Sequence, residues 1–411
     1  MNARLNISIG VGLLTVLAAS GQEYRTDINP ALRYYEGFIV APELSPADSG
    51  YLLTNDWRGQ KLPQKAGNLL GGFDSQFKLA RQAAHATVAC DWGIDLSAGP
   101  ETLLPHLARC KRLAQMAQLR VMWDLQNGQE SEARDDLLAA FALARNASQD
   151  GTLIACLVRY ADEAIVLSTV AWNYHSFSAK TLQELSDGFD AAPPGKTMAE
   201  AVETGERDCS HFWLERKIVQ WQQESGGDDA KVMAKVRALF GSFSSENGTN
   251  EWTQGLNQIA SSATLLKLAH EADSVYDRAA EIFKLPHGQF EAQAEQVARE
   301  ITEGTNFLTK QLFPAVLKAK VKEFCAEARM AMFHAAVAYK LHGESGIRMV
   351  NDPTGQGPFA FERVIIDGMD RGFRLTSAYA GRGYRETLIF VETDGPPLNT
   401  EGPKAGQATP K

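Results

Sequence analysis

Residues 90–110, CDWGIDLSAGPETLLPHLARC, gather two cysteines, two aspartates, a tryptophan and a histidine into one short span. Several chemistries fit those residue types. Cys90, His106 and Cys110, with His85 just upstream, are the ligand types of a zinc site. Cys90 and Cys110 are also candidates for a disulfide in an oxidising compartment. Asp91, Asp95 and His106 are acid and base groups that a hydrolase would use. Spacing weakens the metal reading, because zinc motifs pair close ligands such as Cys-x-x-Cys and neither pair here has that separation. The reading favoured by spacing is a corner between helices. Cys90 is then buried, Trp92 covers the corner, and Asp91 or Asp95 accepts from backbone N–H groups in the turn. Pro105 falls in a first helical turn, where its missing N–H costs nothing. Cys90, Asp91, Trp92, Asp95, His106 and Cys110 therefore form one candidate cluster, functional or structural.

A second stretch, GERDCSHFWLER at 205–216, holds Cys209 and His211. Two residues apart on a helix, they diverge, which is poor geometry for a nucleophile and its base. His211 and Glu215 are at i, i+4, a spacing compatible with two metal ligands, but one such pair is weak evidence. The doublets Asp135-Asp136 and Asp228-Asp229 diverge in the same way, and Asp228-Asp229 suits a helix start. His270, His287, His334 and His342 read as scattered singletons. There is no Gly-rich phosphate loop, nucleophile elbow or His-Glu-x-x-His motif. No catalytic, cofactor-binding or metal-binding residue is assigned on these grounds, and no cofactor is expected.

The elements that would position these residues are mostly helical. The sequence predicts a short helix from Pro30 to Phe38, irregular chain over 40–72 with one turn near Pro46–Leu52, and helices over 73–90 and 101–126. Glu101 is expected in the first turn of the latter. WDLQNGQESEARDDLLAAFALA then reads as a helical hairpin turning at Asn127-Gly128, tetratricopeptide-like but without a repeat at the matching period. Thr152–Tyr174, apolar almost all round, is the expected central core helix. Helices follow over 179–191, from Met198 to about Gln223, over 254–284 and 288–312, and then to Leu341, opened or kinked by Pro314. The pattern then changes period. FAFERVII, GFRLTSAY and RETLIFVE alternate like strands of a small antiparallel meander, supported by the preceding helix. In NDPTGQGPFAFERV, Asp352-Pro353 favours a turn, and the loop reads as the start of that meander.

The 411 residues carry a formal net charge of −9, with 44% hydrophobic and 22% charged residues. That balance, with no Lys/Arg run, argues against nucleic acid as a partner. Arg4, the apolar stretch Leu5–Leu17 and the small residues Ala18, Ala19, Ser20 and Gly21 have the form of a secretory signal peptide. An uncleaved anchor over residues 5–19 is the alternative, and would be the only route to a membrane.

YLLTNDWRGQ, CDWGIDLSAGPETLLPHLAR, ARDDLLAAFALAR with GTLIACLVRYADEAI, and NDPTGQGPFAFERV with GFRLTSAY occur in this order. Together they resemble a family of uncharacterised, exported, mostly helical bacterial proteins, over most of residues 30–380. The resemblance is fairly specific in the 90–110 block. It implies no activity, substrate or catalytic residue. The C-terminal part is similar to the end of type II secretion pseudopilins, where an Asp-Pro-x-Gly-x-Pro loop leads from a helix into a small sheet. Asp352, Pro353, Gly355, Gly357 and Pro358 approximate that loop, with one extra residue between the last glycine pair. The prepilin N-terminus is missing and the helical part has no counterpart there, so the similarity is local to this element.

The expected fold is mainly α: a helical bundle with a tetratricopeptide-like hairpin over 29–342 and a β-meander over 343–393. Residues 1–21 are the expected signal and 394–411 a disordered tail. The function expected is that of an exported, non-enzymatic helical scaffold or binding protein of the periplasm or cell envelope, with a protein or peptide as partner. One alternative is an exported hydrolase or metal-dependent enzyme drawing on Asp91, Asp95, His106 or His211. The other is an envelope-assembly component.

Overall fold

The computed structural model describes residues 24–242, 251–379 and 385–395. The expected signal segment and residues 396–411 of the expected tail lie outside them. The protein is mainly α-helical with a small C-terminal antiparallel sheet. Four short helices come first: α1 (Pro30–Val40), α2 (Pro46–Leu53), α3 (Gln64–Gly71) and α4 (Asp74–Ala84). Asn29 and Ser45 cap the first two by accepting from Ala31 N and Asp48 N, and Pro30 and Pro46 occupy N1, where no N–H is needed. Helix α3 was not expected from the Gly- and Pro-rich run 40–72. It has no side-chain cap, and tertiary burial of Ala66, Gly67 and Leu70 holds it.

Two boundaries differ from the sequence reading. The helix expected over 73–90 stops at Ala84, because the chain beyond it satisfies its backbone groups elsewhere. Thr87 N donates to Thr26 O, and Asp91 N donates to Asn29 Oδ1; Val88 is left exposed rather than on a buried face. The helix expected from 101 starts at Pro105. Leu96–Glu101 forms a separate 3-10 turn instead, in which Gly99 adopts φ +68°, a left-handed conformation that ends right-handed helix. Glu101 thus closes that turn and does not open the helix.

Helices α5 (Pro105–Gln126) and α6 (Glu130–Ala147) form the expected hairpin, and α7 (Leu153–Trp172), capped by Thr152, packs on both. Phe141, Leu143, Val166 and Val170 belong to one apolar core with α1, α4, α8 (Ala179–Asp190) and the sheet. Next, α9 (Met198–Glu200) runs without a break through a π-helical stretch, Ala201–His211, into α10 (Phe212–Glu224). A Cβ on Gly205 would lie 2.1 Å from the Gly151 carbonyl oxygen. Only glycine lets the wide π turn approach the start of α7 so closely.

Helices α11 (Asp229–Ser242), α12 (Glu251–Asn257), α13 (Ser262–Phe283) and α14 (His287–Glu303) complete this side. The helix expected over 254–284 is divided, because Ser261 caps α13 by accepting from Thr264 N. Pro314 neither opens a helix nor ends one. It lies inside α15 (Phe307–His342), capped by Asn306. The N-terminal half of α15 joins a second apolar cluster with α13 and α14, and its C-terminal half joins the main core. A third cluster forms around Trp213, Ile218 and Leu265.

After the short α16 (Glu344–Ile347), strands β1 (Ala360–Ile366), β2 (Met369–Thr376) and β3 (Thr387–Val391) pair antiparallel in the order β1-β2-β3. Asp367 and Gly368, at φ +50° and +74°, make the two-residue hairpin turn, whose primed geometry matches strand twist. The sheet rests on α7 as well as on α15. Tyr174 meets Phe373 and Phe390, and Tyr339 meets Phe373. Asp352 is buried and accepts from Thr354 N, Ser377 Oγ and Ala378 N, so this loop ties the last helix to the sheet. No helix of the described residues is long and apolar enough to cross a membrane.

Candidate functional site

The 90–110 block folds as an aromatic corner. Trp92 is 5% exposed and donates from Nε1 to Asn146 O at 2.7 Å. Its ring stacks on His106 with centroids 4.5 Å apart and on Tyr34 at 5.6 Å, and Tyr35 meets it edge-on. His106 is fully buried, with Nε2 3.4 Å from Ala147 O and 3.3 Å from Asp150 Oδ2. Asp91 and Asp95 face solvent, and each accepts from a backbone N–H two residues on, Gly93 at 2.9 Å and Ser97 at 2.8 Å. These three candidate acid–base groups do not converge.

Nor do the four candidate zinc ligands. His85 is an exposed C-cap of α4, whereas Cys90, His106 and Cys110 are buried in the corner. Cys90 and Cys110 are free thiols. Burial pushes the Cys90 thiol up to about 12 and Cys110 well above its ordinary value, so neither is a thiolate nucleophile at neutral pH.

A second arrangement has more chemical content. Helices α3, α4, α5 and α6 enclose a cleft of about 790 Å³. The i, i+4 geometry of α4 sends Phe77 and Arg81 to one side of it, and α5 contributes Arg120, Trp123 and Asp124. At its base Asp136 of α6 is fully buried. Arg81 Nε donates to its Oδ1 and Arg120 Nε to its Oδ2, both at 2.8 Å. Asp135 diverges as expected and pairs at the surface with Arg134. Arg81 also reaches Glu132, and Arg120 reaches Asp74 and the Leu70 carbonyl. Both guanidiniums are thus committed to acceptors within the wall of the cleft.

Asp124 is the exception. It is 7% exposed, and its Oδ2 has no hydrogen-bond partner. Burial, reinforced by the nearby Asp136 charge, pushes its carboxyl up to about 6. A perturbed carboxyl with an unpartnered oxygen in a cleft marks a candidate binding or catalytic position. Sequence reasoning missed Asp124, Arg81 and Arg120. The only local hint was an aspartate on the otherwise apolar face of VMWDLQ, and its ionic surroundings come from three other helices.

Elsewhere, His211 turns toward α13, where Nε2 lies 2.9 Å from Asp273 Oδ1. His270 is not a singleton, for its Nε2 lies 3.3 Å from Glu215. No family model, curated protein or solved structure matches the chain.

Proposed function

We propose that this is an exported, non-enzymatic binding protein of the cell envelope, and that the α3–α6 cleft receives a peptide segment carrying a lysine or arginine side chain. The observation that carries this reading is the unpartnered Oδ2 of Asp124 in the wall of a cleft that mixes charged side chains with Leu70 and Trp123. The charged side chains there are Asp74, Asp124, Glu132 and Asp136 against Lys78, Arg81 and Arg120. One negative charge is in excess when Asp124 is ionised. A ligand cation would replace the water that burial removes from this carboxylate. Trp123, which is only partly buried, supplies surface for the aliphatic stem of such a side chain. The non-enzymatic part is supported by the outward, capping roles of Asp91 and Asp95 and the enclosed position of His106.

A peptide array probed with the wild-type protein and with Asp124→Asn tests this. Wild type is expected to retain peptides enriched in Lys or Arg, and Asp124→Asn to lose them while retaining its fold. Retention of the same peptides by both proteins, or of none by wild type, would refute it.

A further inference from the structure

We infer that His211, Glu215 and Asp273 form a binding site for one divalent transition-metal ion of the zinc class, remote in sequence from the cleft and independent of it. His211 and Glu215 are one turn apart where the π-helical stretch passes into α10, and Asp273 is on α13. Their ligand atoms lie within 4.8 Å of one another. His211 Nε2 is 2.9 Å from Asp273 Oδ1 and 3.7 Å from Glu215 Oε1. Ligands on a tetrahedral ion with bonds of about 2.0–2.1 Å stand roughly 3.3 Å apart, so these separations bracket the spacing required.

The independent sign of a ligand is His211 itself. Its side chain is 4% exposed, and Nε2 is buried without a hydrogen-bond partner although it is aimed at two carboxylates. Glu215 Oε1 is likewise buried and unpartnered. Buried polar atoms in folded proteins are satisfied, and an ion between them satisfies both at once. The imidazole is fixed by its packing on Tyr276 and Phe212. Arg207 donates to the Asp273 carbonyl and to Asp277 and stands 3.7 Å from Asp273 Oδ1 as an ion pair, which holds the α13 side of the site in place.

His270 precedes Asp273 by three residues on α13 and places Nε2 3.3 Å from Glu215 Oε1. Its side chain is 65% exposed, so it stands at the solvent edge of the three-residue site, where a fourth ligand would enter. Imidazole and carboxylate without thiolate select a borderline ion such as Zn²⁺ over soft Cu⁺. The π-helical stretch is consistent with this, since π segments occur frequently at functional sites. They re-aim side chains at their ends, and His211 is the last residue of this one.

Tag-free full-length protein, stripped with chelator and dialysed against Zn²⁺, is the material for the test. About one equivalent of zinc per chain is expected, with Co²⁺ giving visible absorption bands of a low-symmetry site. Glu215→Gln and Asp273→Asn, both near-isosteric, are each expected to weaken zinc about tenfold or more and to remove the cobalt bands. Glu271→Gln, on the same helix, and Asp124→Asn are expected to leave both unchanged, which separates this site from the cleft. Substoichiometric zinc in the wild type, or binding equal in wild type, Glu215→Gln and Asp273→Asn, would overturn the assignment. The wild-type stoichiometry decides the matter even if a variant fails to fold.

Discussion

Trp92 and Asp124 are two residues whose environments reverse their sequence-level prominence. Trp92 sits in the most conspicuous block of the chain, yet every contact its side chain makes is packing or the one hydrogen bond to Asn146. Trp92→Ala is expected to cost about 3–5 kcal/mol of stability, read by chemical denaturation; a loss below about 1 kcal/mol would mean that the corner is not held by this ring. Asp124 has no motif around it, and its character arises only where α4 and α6 close over it. Its folded-state carboxyl, at about 6, lies above the ordinary unfolded value. The folded protein therefore binds a proton that the unfolded chain has released, and stability falls as pH rises from about 4 through 6. Asp124→Asn removes that loss. Its unfolding free energy is expected to equal wild type near pH 4 and to exceed it at pH 7.5 by on the order of 3 kcal/mol. A difference independent of pH would show that the carboxyl is not desolvated. Burial raises the Asp136 carboxyl as well, but the Arg120 and Arg81 charges oppose that shift, and both guanidiniums pair with it. Asp136→Asn is expected to lower stability by about 3–5 kcal/mol at neutral pH, since it leaves Arg81 and Arg120 without their shared counter-charge.

At the scale of elements, helical periodicity and punctuation carried far in some places and failed in others for identifiable reasons. The α5–α6 hairpin and α7 follow from local signals: Asn127-Gly128 at the turn and Thr152 at the cap. The meander follows from its alternation, and Gly368 falls in its first turn. Helix α3 and the early end of α4 were not legible, because both are decided by distant partners: the packing of α3 on α5 and the bonds from Thr87 and Asp91 to Thr26 and Asn29. The π-helical form of 201–211 was hidden for the same reason. It depends on the fit of Gly205 against the Gly151 carbonyl. Gly205→Ala is expected to lower the melting temperature by several degrees, about 1–3 kcal/mol. Full retention of stability would mean that the approach relaxes without cost.

On the scale of the whole molecule, α15 contributes side chains to three apolar clusters and α13 to two of them. The candidate site was half legible in this sense. The His211–Glu215 spacing was visible along the chain, but Asp273 and His270 come from a helix some sixty residues later, and no spacing rule links them. The cysteines give a chain-wide check on the corner. Under denaturing conditions without reductant, five reactive thiols are expected; three would indicate a disulfide that the packing of Cys90 and Cys110 does not contain. The most direct test of the binding account is the affinity of the best array peptide, measured by calorimetry at pH 7.5 and pH 5, beside an analogue with norleucine in place of its lysine. Ionised Asp124 should bind the lysine peptide about tenfold more tightly at pH 7.5 than at pH 5, and the norleucine analogue should show no such gain. Equal affinity for both peptides at both pH values would contradict the assignment of the cleft to a cationic segment.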